Sequence, residues 1–394
     1  MQIQNIVLRD IRHVHQELLP LTYTRTPAQL RVGILTIAEK WQKLMGGECH
    51  IMPSADYLAD FYGMPPAEVL DNPATLFIAA NVLPDKFLAE SVEALAPGCV
   101  LVDGNGEVIA SRGDTAEASA VVYTREYMAI KNLYDIFLLN GDAVKGDMAL
   151  ITAGRTSAAL SHTNTVIGNP ADIFIEEGAW VEAATLNTTA GSIYIGKDAT
   201  VMEGSMLRGP IALCGHSTVN MGTKIYPGTT IGRYCKVGGE LNNVVMQDYS
   251  NKAHDGFLGN AVIGSWCNIG AGAVASNLKN DYTPIRLWNY PQRRFLRTGL
   301  QFCGLIMGDH SKAGINTMFN TATVLGVGVN IHGAGFPRNF VPSFSEGSTT
   351  GYTDVQMDKF FETAERMMAR RGVELTDAHR QLFMAIRAAA DEFK

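Results

Sequence analysis

The sequence lacks paired cysteine motifs. Its six cysteines, Cys49, Cys99, Cys214, Cys235, Cys267 and Cys303, are scattered, with no CxxC among them. This spacing argues against a disulfide framework or a thiolate zinc site, and predicts buried, reduced thiols. A basic excess is also missing: 32 Lys and Arg stand against 39 Asp and Glu, a formal net charge of -7. Broad nucleic-acid binding needs surplus cations to neutralise phosphates, so that class is set aside and any anion site must be a local cluster. No apolar run is long enough to span a bilayer. No charged segment followed by an apolar stretch marks a signal peptide. The expectation is a soluble, cytoplasmic protein of two or three domains in 394 residues, with no membrane partner.

Three regions differ in texture. Residues 1–145 alternate short apolar runs with helical patterns. "IQNIVL" reads as a strand, and "TLFIAA", "GCVLVD" and "SAVVYT" as buried strands. "PAQLRVGILTIAEKWQKLM" takes helical spacing late in the run and stops at Gly46-Gly47; a second helix follows Pro84 through "DKFLAESVEAL". The alternation predicts an α/β layer structure with a largely parallel sheet.

From 160 to 342 helical periodicity vanishes and a six-residue period replaces it. Ile195, Val201, Leu207, Leu213, Val219, Ile225, Ile231 and Val237 are aliphatic and six apart without a break. A second run is Phe257, Ile263, Ile269 and Ala275, and a weaker third includes Ile306, Met318 and Val324. The pattern predicts a parallel β-helix of hexapeptide repeats. Each unit supplies one flat strand and one turn, three units close a coil, and coils stack at about 4.8 Å with aliphatic columns inside. Between Val237 and Phe257 the phase slips. Residues 278–304 break the repeat with an aromatic, basic stretch holding Arg286, Arg293, Arg294 and Arg297, expected as a long loop leaving the coil. Residues 352–394 are expected as a helical hairpin: a stripe of Val355, Phe360, Phe361, Ala364, Met367 and Met368 ends at Gly372, and Thr376 is placed as the N-cap of a second helix.

The stretch "NKAHDGFLGNAVIGSWCNIGAGAVASN", residues 251–277, holds a lone histidine and regularly placed asparagines. A neutral imidazole, with an ordinary pKa near about 6.5, takes a proton from an amine near neutral pH. Asparagine supplies a donor and an acceptor without charge. A rigid strand edge offers fixed N–H groups to a developing oxyanion.

These residues resemble the acetyltransferase domain of the bifunctional sugar-1-phosphate nucleotidylyltransferase/amino-sugar-1-phosphate N-acetyltransferases, in their archaeal-type branch. "KAHDGFLGNAVIG", "NIGAG" and "AGINT" carry the likeness, which covers most of 160–340. It implies a left-handed coil, a homotrimer, and acetyl-CoA sites between neighbours. It implies acetyl transfer to the amine of a sugar phosphate or nucleotide sugar, with His254 as general base, Asn277 near the reacting amine and Asn268 on the sugar. Ala271 would meet acetyl-CoA through its backbone, and Arg293, Arg294 and Arg297 would hold phosphates of the coenzyme or sugar. The sequence departs from the family at three contacts. Phe257 replaces a tyrosine, Tyr226 an arginine before Pro-Gly, and a phosphate-binding lysine is replaced near Asn242, with Lys224 and Lys252 as compensating candidates.

The first region resembles, more weakly, a diverged sugar nucleotidyltransferase domain through "LLPLTYTRTPAQLRVGILTIAEKW". That implies Arg25, Arg31 and Lys40 as phosphate ligands and a Mg²⁺ ion in the reaction. The glycine-rich signature is absent, and Asn81 stands where a metal-binding Asp is expected. Two alternatives to acetyl transfer therefore remain: nucleotidyl transfer by this domain, and non-catalytic binding of a sugar nucleotide.

Overall fold

The computed structural model describes residues 5–113, 115 and 119–394. Ile3 and Gln4 of the expected first strand lie outside the described residues. The chain divides into two compact units. One comprises Met1–Leu18, Thr24–Leu30 and Leu35–Asp135; the other Leu19–Tyr23, Arg31–Ile34 and Ile136–Lys394.

The first unit holds a six-stranded sheet. Asn5–Arg9 lies between Glu48–Met52 and Leu76–Ala79 and is parallel to both. The sheet is mixed rather than largely parallel, because Val108–Arg112 runs antiparallel to both its neighbours, Leu76–Ala79 and Cys99–Val102. Short connections explain this: Asp103–Glu107 is a tight turn in which the Asp103 carboxylate accepts from the amides of Asn105 and Glu107, and such turns join antiparallel strands. Ser119–Val122, expected as a buried strand, is an edge strand with Val121 and Val122 about half exposed. Helix Ile37–Met45 starts on a Thr36–Glu39 capping box and ends at Gly46 with φ 66°. Helix Lys86–Glu93 is capped by Asp85, whose carboxylate accepts from the amide of Leu88.

The second unit is built on a parallel β-helix whose rungs run from Thr165–Ile167 to Ser345–Ser348. It takes the left-handed form. The predicted column is observed from Ile195 to Val237, all fully or nearly fully buried in one continuous core. Beyond Val237 the second predicted run holds at Ile263, Ile269 and Ala275, which are in the core, and shifts by one residue from Phe257 to Leu258. The third run shifts throughout: Met307, Phe319 and Leu325 are inward, whereas Ile306, Met318 and Val324 stand outside that core cluster. The slip arises at the corners. Glu240–Met246 and Phe257–Ile263 each run through a corner as one strand, with Asn243 and Asn260 at positive φ (55° and 45°), and these corners use one residue fewer. Residues 278–304 are not an unstructured loop: Arg286–Asn289 and Arg294–Arg297 form an antiparallel hairpin, with Trp288 stacked on Phe340 at 4.1 Å.

One edge of the coil carries a ladder of rings. His216, Tyr234, Tyr249, Trp266 and His310 occupy equivalent positive-φ corners. They stack in order at 4.6, 5.0, 4.2 and 6.1 Å between centroids. His310 ends the ladder against Phe360 and Phe383 of the helical hairpin, at 5.7 and 5.0 Å. The hairpin, Met357–Ala369 and Asp377–Ala390, buries Phe360, Phe361, Ala364, Met368, Leu382 and Phe383, and Thr376 caps its second helix as expected. Each of the Phe, Leu and Met side chains among them contributes about 1.5–3 kcal/mol when withdrawn from water. Met367 lies off that buried stripe and Val355 precedes the helix. Among the described residues no helix is long and apolar enough to cross a membrane.

Candidate functional site

The rung that bears His254 is unusual in its core. Val219, Val237 and Lys252 are register partners in one inward column, so a lysine replaces an aliphatic residue there. Lys252 is fully buried. Its Nζ donates to the carbonyl of Asp255 at 3.0 Å and to the carbonyl of His254. Burial pushes its pKa down to about 8, against a smaller opposing effect from Asp255. The turn below is short, with Gly238-Gly239 alone between Val237 and Glu240. A Cβ on Gly238 would fall 2.5 Å from the Ala253 carbonyl, and one on Gly239 would fall 2.6 Å from the Gly256 carbonyl. Two glycines thus let the His254–Gly256 turn settle directly on the previous rung. The amide of Gly272 donates to Asp255 O at 2.9 Å from the rung above. The His254 side chain itself is exposed on a turn gripped from below, above and within.

Asn277 stands on a different corner of the same chain. Its Nδ2 donates to Asn260 Oδ1 at 2.8 Å. In the amide orientation that satisfies its neighbours, Asn243 accepts from Asn260 Nδ2 at 3.1 Å and donates to Phe137 O at 2.8 Å and Gly228 O at 3.1 Å. Three asparagines therefore form an amide ladder, tied at its end to the helix Asp135–Thr152. The ladder walls a cavity of about 630 Å³ that also includes Asp142, Gln301 and Phe302.

The remaining predicted residues scatter. Asn268 is exposed, in register with Asn251 and Lys312. Ala271 lies at the corner above His254, where its carbonyl accepts from the amide of Asn316 at 2.7 Å. Phe257 points outward, half-buried, between Glu240 and Val274. Lys224 and Tyr226 are brought together in a cavity of about 260 Å³ with Arg208 and Met206. Arg293 pairs with Glu392 at 2.8 Å, Arg294 bonds Gln292, and Arg297 is exposed on the hairpin. Lys252, a substrate-contact candidate in the sequence, faces the core instead, because its ammonium closes its own turn.

The nucleotide-site candidates are mostly buried. Arg31 is buried and paired with Asp248 at 3.0 Å. Lys40 is buried and Arg25 half-buried. Asn81 is buried and donates to Ile130 O at 3.1 Å. Among the described residues no group of three or more His, Cys, Asp or Glu side chains converges as a metal set. With a neutral amide at 81, these donors do not fit Mg²⁺, which wants carboxylate oxygens.

One group escaped the sequence reading. Lys236, Asn251, Asn268 and Lys312 are successive partners in one outward column, and Arg366, Arg370 and Arg371 face them across a groove of about 620 Å³. The recurrence of polar residues two positions after each ladder ring was the available signal.

Residues 6–156 match the family model described as sugar nucleotidyl transferase. The bifunctional protein GlmU of Gloeobacter violaceus is 23% identical over 227 residues, covering 52% of this chain and 45% of that protein. GlmU of Nostoc sp. is 27% identical over 186 residues, covering 44% and 36%. The chain is similar in part to the bifunctional GlmU proteins. It spans less than half the length of these GlmU relatives. Among solved structures, an Arabidopsis UDP-N-acetylglucosamine acyltransferase is similar at a TM-score of 0.23 and 14% identity, over 59% of this chain and 94% of that one. The N-acyltransferase AntD of Bacillus cereus, solved with dTDP and coenzyme A, reaches 0.22 and 13% over 52% and 91%. At scores this low the likeness says nothing of function.

Proposed function

We propose that the protein transfers an acetyl group from acetyl-CoA to the amine of an amino-sugar phosphate or nucleotide sugar, with His254 as general base. The observation that carries this reading is the fixed presentation of an exposed imidazole: Lys252 holds the carbonyls of His254 and Asp255 from inside the coil. A held base keeps the near-attack geometry that a freely moving turn would lose. The amine nitrogen attacks the thioester carbonyl, its proton passes to the imidazole, and the C–S bond breaks. The coenzyme leaves as thiolate and is protonated to the thiol.

Asn277 and His254 stand on different corners of one chain, so a role for Asn277 beside the reacting amine needs a neighbouring subunit. A homotrimer is part of the proposal. In its support, one outer column, which runs Met206, Lys224, Glu240, Phe257, Val274 and Met318, ends in three successive partly exposed apolar side chains, Phe257, Val274 and Met318. The test is thiol release from acetyl-CoA across a panel of amino-sugar 1-phosphates and nucleotide amino sugars. His254→Ala is expected to lower turnover about 10²- to 10⁴-fold, and light scattering should give a trimer mass. Turnover equal to wild type in the variant would remove His254 from the chemistry.

The family match at 6–156 favours a second reading, nucleotidyl transfer by the N-terminal domain. Pyrophosphate release from a nucleoside triphosphate and a sugar 1-phosphate, unaffected by His254→Ala, is its test.

A further inference from the structure

The geometry points to a binding groove for a phosphorylated nucleotide, built jointly by the outward column of the coil and the first helix of the C-terminal hairpin. The choice of a nucleotide as ligand rests on the acetyl-transfer reading. The groove begins beside the proposed base, since Ala253 is one of its lining residues.

Charge is the first argument. Lys236, Lys312, Arg366, Arg370 and Arg371 line the groove, and no carboxylate does, in a chain whose net charge is -7. The nearest offsets are partial: Glu362 lies 3.5 Å from Arg366 on the helix surface. Arg371 is oriented by a 3.2 Å bond to Asn251 Oδ1. Lys312 donates to His310 O at 2.9 Å, and burial lowers its pKa, as expected for a cation crowded by walls rather than water.

Spacing is the second. From Lys236 to Lys312 the column climbs three rung steps, about 14 Å at the inter-strand distance. Arg366 and Arg370 stand four positions apart on the opposite wall, about 6 Å along the helix. One phosphate cannot engage both ends of such a set. A diphosphate, or phosphates at both ends of a nucleoside, can. The helix is held over the column by the His310, Phe360, Phe383 and Phe344 ring contacts, so its arginines are presented and not free to swing away. A volume of about 620 Å³ suits a ligand of nucleotide size.

The aromatics limit what else the groove does. Tyr249 and Trp266 line it, but their faces are taken by stacking on each other at 4.2 Å. A base meets ring edges only, so charge supplies most of the affinity and salt should weaken it steeply.

The shared chemistry, a nucleotide with more than one phosphate, comes either from the coenzyme or from a sugar nucleotide. Calorimetry on the full chain would use coenzyme A, UDP-N-acetylglucosamine and inorganic pyrophosphate at low and moderate salt. Wild type is expected to bind at least one of the two nucleotides, with pyrophosphate competing and salt weakening binding. The double variant Arg366→Gln/Arg370→Gln, at exposed positions, is expected to bind about tenfold or more weakly with an unchanged melting temperature. Arg370→Lys should retain most of the affinity. Binding of coenzyme A assigns the groove to the donor; binding of UDP-N-acetylglucosamine assigns it to the acceptor. No binding of any probe, or equal binding by the double variant, overturns the proposal. Thiol release from acetyl-CoA by wild type keeps the two readings apart: nucleotide binding without any acetyl transfer would defeat the acetyl-transfer reading and leave the groove standing.

Discussion

Two sets of polar side chains climb the same coil with nearly the same period, and they behave differently. At one corner Asn243, Asn260 and Asn277 bond to one another and to the Phe137 carbonyl. On the flat face Lys236, Asn251, Asn268 and Lys312 are aligned just as regularly, yet they face an open groove. The difference lies in what is available next door. The corner asparagines are close enough to satisfy each other, and a ladder of amides needs no ligand. The lysines at the two ends of the flat column cannot bond each other, and with the facing arginines they leave donors for something anionic. Repetition in a coil therefore does not by itself separate scaffold from site; the partner of each polar atom does.

The amide ladder gives the largest stability effect with which to break that comparison. Asn260 is its middle member, bonded on both sides. Asn260→Ala removes two links and leaves two amides short of a partner, which should cost about 2–3 kcal/mol. Urea unfolding measures it. A cost under about 0.5 kcal/mol would mean that the ladder is ornamental and that its members are free for other work.

Asn277→Ala should cost less, about 1 kcal/mol, because it ends the ladder and loses one bond. Its acetyl-transfer rate, measured where the variant remains fully folded, sharpens the comparison. A rate near that of wild type makes Asn277 scaffold alone. A fall of about tenfold or more supports a second use across a subunit boundary.

How much of this could be read in the sequence follows from the same physics. The inward column Ile195 to Val237 was legible because a coil repeats its core position strictly. Ile263, Ile269 and Ala275 were legible in the same way, but Phe257 was misread by one position because the corner at Asn260 loses a residue, and Phe257 is apolar enough to pass for its buried neighbour Leu258. His254 was legible as a lone imidazole among glycines. Lys252 was not legible as a core residue, since nothing in a sequence says that a lysine turns inward to hold two carbonyls. Arg366, Arg370 and Arg371 were hidden for another reason: the helix pattern gave their exposed side, but only the fold places the coil opposite them. The pairing of Arg31 was not legible, because its partner, Asp248, lies far along the chain.

The remaining effect concerns Lys252, a cation that belongs to neither set. Its folded pKa is held down to about 8, below the ordinary lysine value, chiefly by burial. Below about pH 8 both folded and unfolded chains carry the proton, and the cost of burying that charge is present in full. As pH rises from about 8 toward the ordinary lysine value of about 10.4, the folded chain releases the proton first. The unfolded chain then binds more protons, so stability rises with pH over that window. The neutral amine still donates to the carbonyls of His254 and Asp255, so the turn need not open. Lys252→Met removes the titrating group while keeping an unbranched chain in the column. The stability difference, wild type minus variant, should therefore shift in favour of wild type between about pH 8 and about pH 10, read as urea midpoints of both proteins at each pH. A flat difference would show that the ammonium is not confined by the core, and the grip on the His254 turn would lose its foundation.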